Sequence, residues 1–195
     1  MTRHSALWWF TIAAALSLAA PAGAVTLNWS NAAGGSADAA SNWSPAQSPT
    51  LNDLLTFNVI GAYTVNFPTP LDSVMGHLFY TGNVTLDCGA PHYGRTLFSV
   101  APSTSNSATV SLTNGSFRTG YDVRVGDAAA SFGTLNVQGV SALLTQAPGG
   151  PFKVGNQGTG TLSVTSGGHV ITSGDLIVGA APGGTGTTTI SGEVT

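Results

Sequence analysis

The chain has 195 residues, of which 42% are hydrophobic and only 7% charged, with 26 glycines, a single cysteine and a formal net charge of −3. So few cations exclude phosphate-driven binding of nucleic acid, which draws its affinity from clustered Lys and Arg. One cysteine excludes an internal disulfide framework, and the hydrophobic content is too high for a disordered chain.

Arg3 and His4 precede an apolar run over residues 6–20, and Pro21-Ala22-Gly23-Ala24 places small residues where a signal peptidase reads. This pattern predicts a secretory signal over residues 1–24, with Val25 the first mature residue. The run is shorter than the about 20 residues that a membrane helix needs, and no later segment is long and apolar enough. The mature part is therefore expected to lack a membrane span and to be secreted or exposed at the cell surface. Loss of Arg3 leaves four basic residues against eight acidic ones. Arg118 and Arg124 are the nearest approach to a basic cluster, so no nucleic-acid partner is expected.

Residues 25–70 read as an N-terminal cap, rich in aromatics and prolines. Trp29 and Trp43 bracket an Ala/Gly/Ser loop, and a Pro/Ser/Thr connection runs on to Asp53. Residues 54–59 and 63–67 suit strands, with Gly61-Ala62 turning between them. The open end of a solenoid core needs covering, and Trp29, Trp43, Phe57, Tyr63 and Phe67 are large enough to do it. Residues 71–97 suit degenerate first rungs: short strands at 78–80 and 83–86 joined by a turn at 81–83, and a third strand at 96–100.

From residue 98 to the end the pattern repeats. A hydrophobic residue followed by Gly occurs at Val125-Gly126, Val154-Gly155 and Val178-Gly179, giving periods of 29 and 24 residues. Each pair is followed by a Gly-Thr, at Gly133-Thr134, Gly160-Thr161 and Gly186-Thr187. Residues 108–116 match 160–168 in register. A fixed period in this range points to a solenoid. Within one unit Thr161, Ser163 and Thr165 alternate with Leu162 and Val164, the period of a strand with one inward face. Turns at 166–168 and 173–175 then separate strands at 169–172 and 176–178. The expected fold is all-β, a parallel β-helix of three short strands per coil, with Leu162, Val164, Val170, Leu176 and Val178 in its core. A β-sandwich is the rival, but it requires no repeated sequence. The last unit is incomplete, which reads as part of a longer chain whose uncapped C-terminal end is open to end-to-end association.

The units VGNQGTGTLSVTSGG and VGAAPGGTGTTTISG resemble the autotransporter/PEP-CTERM-associated repeat, well over residues 123–195 and weakly over 98–120. The Trp, Asn42-Trp43, Pro and Asp53 of the cap resemble the region that often precedes such repeats. The resemblance implies a passenger-type β-solenoid, exposed outside a bacterial cell.

Chemistry is harder to find. Asp122, Asp127 and Asp175 lie at corners and would serve glycoside chemistry, which needs two positioned carboxylates, or calcium, which needs several oxygen ligands. Aspartate is also a common turn residue for its local hydrogen bonds, and the unit at Lys153 has no matching acid. His77, Cys88, His92 and His169 suggest a metal site, but Cys88 and His92, four apart, are two isolated ligands where zinc needs three or four; Cys88 reads as a small buried thiol. There is no GxSxG turn and no P-loop. In a bacterial chain, which the resemblance implies, the sequons at Asn28, Asn42, Asn83 and Asn114 carry little weight. No catalytic, cofactor or metal site is expected, and the chain reads as a non-catalytic structural or adhesive scaffold with surface polysaccharide or other matrix components as partners. The alternatives are a carbohydrate-active β-helix, or a binding module with Trp29 or Trp43 exposed as sugar platforms.

Overall fold

The computed structural model describes residues 23–195. The expected leader, except for its last two residues, lies outside the described residues. Among the described residues the chain is a parallel β-solenoid, and no helix is long and apolar enough to cross a membrane.

The first coil holds β1 (Thr26–Trp29), β2 (Gly35–Ser36), a 3-10 turn at Ala40–Asn42 and β3 (Trp43–Ser44). Coils of two strands follow: β4 (Leu54–Phe57) with β5 (Ala62–Asn66), β6 (Leu71–Phe79) with β7 (Thr81–Asp87), and β8 (His92–Val100) with β9 (Ser107–Asn114). Coils of three come next: β10 (Ser116–Thr119), β11 (Asp122–Val125) and β12 (Phe132–Gln138); β13 (Leu143–Gln146), β14 (Phe152–Val154) and β15 (Thr159–Thr165); β16 (His169–Thr172), β17 (Leu176–Val178) and β18 (Thr185–Ile190). The final strand is β19 (Glu193–Val194). Stacking gives one sheet of twelve strands and one of seven.

Register turns the sequence repeat into columns of side chains. Val125, Val154 and Val178 are successive partners across β11, β14 and β17, and Gly133, Gly160 and Gly186 across β12, β15 and β18. In the seven-stranded sheet one inward column runs Val65, Leu86, Leu112, Val137, Val164, Ile190. In the larger sheet another runs Trp29, Phe57, Phe79, Val100, Val125, Val154, Val178. Most members of both are fully buried. Phe57 stacks on Phe79 with ring centroids 4.7 Å apart, and Phe79 sits 5.0 Å from Phe98.

The N-terminal end is closed by a change of direction. β3 runs antiparallel along β1, with Trp43 opposite Trp29. The two rings meet edge to face at 5.0 Å, Trp29 stacks on Tyr63, and both indoles are 2% exposed. Each buried indole N–H is satisfied at 2.7 Å, Trp29 donating to Asn31 O and Trp43 to Ala37 O, as buried Trp requires. Asp53, fully buried, accepts from the backbone N–H groups of Val25 and Thr50 and from the Thr50 hydroxyl. That bracket ties the Pro/Ser/Thr connection to the start of β1.

Four expectations are corrected. Three strands per coil holds only from β10 onward, because the nine-residue β6 and β8 run unbroken where later coils are interrupted at Gly120-Tyr121, 147–151 and 173–175; β8 alone pairs with both β10 and β11. The early halves of β6 and β8 were not legible as strands. Residues 81–83 are strand rather than turn: the corner is the single residue Tyr80, and Gly82 takes φ +84 where a Cβ would run into Val59 O. Finally, Val178 is 46% exposed and Leu176 only half-buried, because among the described residues nothing stacks on β17. Leu162, Val164 and Val170 are buried as expected.

One corner recurs. Gly126, Gly155 and Gly179 adopt φ between 66° and 73°, and their N–H groups donate to Val100 O, Val125 O and Val154 O of the preceding coil. A Cβ at Gly160, the next strand's glycine, would run into Gly155 N and Val125 O. Gly160→Ala is therefore expected to cost about 3 kcal/mol or more, whereas Thr161→Ala on the outer face stays within about 0.5 kcal/mol; urea unfolding of the two variants checks the contrast.

Candidate functional site

Three groups carry titratable chemistry, and the stacking of coils decides what each does. The first is the corner of β11. Arg124 lies between Asp122 and Asp127: its Nε and Nη2 donate to Asp122 Oδ2 at 3.0 and 2.5 Å, and its Nη1 is 3.6 Å from Asp127 Oδ2. Asp127 also accepts from Asn156 Nδ2 at 2.7 Å and from the Ser99 hydroxyl at 3.2 Å, which links three successive coils. Burial lowers the pKa of Arg124, but the hydrogen bond it donates to Asp122 and the charge of Asp127 outweigh it and raise it overall. Asp175 is exposed in a turn, in the column of Asp122 with Pro151 between them. A pair of acids that shares one guanidinium braces a corner.

The second group is a pair of histidines inside the core. His77 on β6 and His92 on β8 are 0% and 1% exposed, and their Nε2 atoms are 2.7 Å apart. His77 occupies an inward column whose other members are Leu27, Leu55, Phe98, Val123, Phe152 and Leu176. His92 occupies one formed with Leu71, Phe117, Leu144, Val170 and Val194. The rings they meet are Phe67, Phe79, Phe98 and Phe117. One Nε2 must donate and the other accept, so the accepting ring carries its proton on Nδ1. Among the described residues neither Nδ1 has a partner. Gly94 makes room for this arrangement, since a Cβ there would lie 2.9 Å from His77 Nδ1. Burial, and for His77 also the charge of its neighbour, lowers both pKa values, that of His92 to about 3.

Cys88 is the third group. It is 2% exposed, and burial, reinforced by Asp87, pushes its thiol up to about 12, away from reactivity. His169 lies on the surface, where its Nδ1 is 2.9 Å from Glu193 Oε2. The structure thus joins His77 to His92, two residues whose pairing had no sequence signal. Among the described residues no group of three or more His, Cys, Asp or Glu side chains is placed to hold a metal ion.

The surface offers two kinds of face. Trp29 and Trp43, expected as possible sugar platforms, are both buried and present no ring to a ligand. The outer face of the seven-stranded sheet carries in-register columns of small polar side chains: Thr64, Thr85, Ser111, Asn136, Ser163, Thr189 in one, and Asn83, Thr109, Thr134, Thr161, Thr187 in the next. No family model, no curated protein and no solved structure matches the chain.

The histidine pair gives a pH dependence with a definite sign. Folding lowers both pKa values below the usual 6.5, so below that pH the unfolded chain binds protons that the folded chain excludes. Stability is full above pH 6.5 and falls as pH drops, by at most about 1.4 kcal/mol per pH unit for each histidine. The urea midpoint is expected to fall between pH 7 and pH 5, and His77→Leu combined with His92→Leu flattens that limb.

Proposed function

We propose that the chain is an exported, non-catalytic structural or adhesive β-solenoid that works at the bacterial surface or in the extracellular matrix. The observation that carries this reading is the use to which its chemistry is put. The corner acids Asp122 and Asp127 are tied to Arg124, the two core histidines to each other, and Cys88 is sealed, while the outer face of the smaller sheet is a flat array of Thr, Ser and Asn. The leader-like residues 1–24 support export. Surface polysaccharide or other matrix components are the expected partners.

A carbohydrate-active β-helix is the competing reading, and it centres on Asp122 and Asp127. The test is a panel of acidic and neutral polysaccharides incubated with the full chain and assayed for reducing or unsaturated ends. None is expected. Release of sugar that is lost in Asp122→Asn or Asp127→Asn would overturn the non-catalytic reading.

A further inference from the structure

The cations of this chain are not spread over its surface. Beyond the leader its basic side chains are Arg95, Arg118, Arg124 and Lys153, and they stand on β8, β10, β11 and β14, all in the twelve-stranded sheet. The strands of the smaller sheet carry no Lys or Arg. Arg124 is neutralised by Asp122 and Asp127. Among the described side chains no carboxylate pairs with Arg95 or Arg118, and both are exposed.

Two tyrosines accompany these arginines. Arg118 and Tyr93 are register partners on adjacent strands, and the guanidinium carbon lies 5.2 Å from the Tyr93 ring centroid. A cation held against a ring in this way keeps its N–H donors free for an anion. Tyr121, at the corner just beyond β10, is 51% exposed. It lies against Gly149 and Gly150, where added Cβ atoms would come within 2.6 Å and 3.0 Å of its ring carbons, so the glycines support the ring while half of it faces solvent. Arg95 borders a shallow hollow of about 240 Å³ with Asn52, Met75 and Thr96, and its Nη1 donates to Asn52 Oδ1 at 2.7 Å.

We infer that this strip of the twelve-stranded sheet binds a carboxylated polysaccharide, with Tyr121 stacking on a sugar ring and Arg118 and Arg95 pairing with carboxylates along the chain. The inference rests on the non-catalytic adhesive reading and names the partner for it. Strand geometry sets Arg95 and Arg118 about 8 Å apart across adjacent strands, and Arg118 and Tyr121 about 10 Å apart along the chain, so the strip offers a few well-separated contacts. Duplex nucleic acid, with a charge every ~1.7 Å of its axis, requires a far denser array of cations. Tyr93 is a positioning residue that acts through Arg118.

The test titrates the full chain with polygalacturonate and with its methyl ester, which keeps the sugar backbone and removes the charge, using duplex DNA as a third probe. Binding of polygalacturonate alone is expected. Arg118→Gln and Tyr121→Ala should each weaken it at least tenfold with an unchanged melting temperature. Tyr93→Leu should weaken it severalfold, and Tyr93→Phe should restore it. Absence of binding, equal binding of the methyl ester, tighter binding of DNA, or an Arg118→Gln variant that binds like the wild type would each overturn the site and leave the non-catalytic reading standing. Binding accompanied by cleavage of the polymer would sustain the site and overturn that reading instead.

Discussion

Backbone hydrogen bonds between coils are the constraint from which the rest of this structure follows. A strand of a parallel solenoid finds no partner within its own coil, so both of its edges must be met by the coils before and after it. Apart from the antiparallel β3, every pairing between strands is parallel. Once residue partners are fixed at that spacing, side chains stack on their own equivalents, and each inward column must hold residues of compatible size. The corner glycines follow from the same rule, because the chain has to turn while its N–H still reaches the coil below.

The repeat was legible because register preserves it. The strands His169–Thr172 and Leu176–Val178 fall where periodicity places them, since Gly and Ser bound each one. The first halves of β6 and β8 escaped notice for a physical reason. The run around His77 is broken by register shifts between Leu71 and Val74 and between Val74 and Gly76, and His92-Tyr93-Gly94-Arg95 looks like a polar turn unless the inward slot of His92 is known. The same obstacle hid the histidine pair: two residues 15 apart in sequence meet only when adjacent coils stack. The corner acids were visible as residue types, and the strand period puts Asp122 and Arg124 on one face of β11, but the reach of Arg124 to Asp127 depends on a loop conformation that spacing does not reveal. Trp29 and Trp43 pack on each other and on the rings of Phe57 and Tyr63, and that packing is what removes them from the surface.

Inside and outside obey different rules. The interior tolerates polarity at a cost, and the two histidines meet it with one hydrogen bond and two unpartnered nitrogens. Each stands in a column that is otherwise apolar, so the pairing specifies which coil lies on which at the place where β6 is irregular. The exterior is freed from that constraint, and there the two sheets diverge: one face is built mainly of hydroxyls and amides and its strands carry no Lys or Arg, the other gathers the cations.

The glycine corner at 126, 155 and 179 also bears on how such a chain changes over generations. Each hook engages only the coils directly before and after it, and the spacing between hooks differs, 29 residues in one case and 24 in the next, without any slip in the strands they join. Duplication or loss of one whole unit therefore leaves both neighbouring joints intact, and loops can lengthen at the corners independently. Length becomes a heritable variable that is separable from foldability, so a molecule of this kind can be tuned in reach, as a ruler is, without being redesigned.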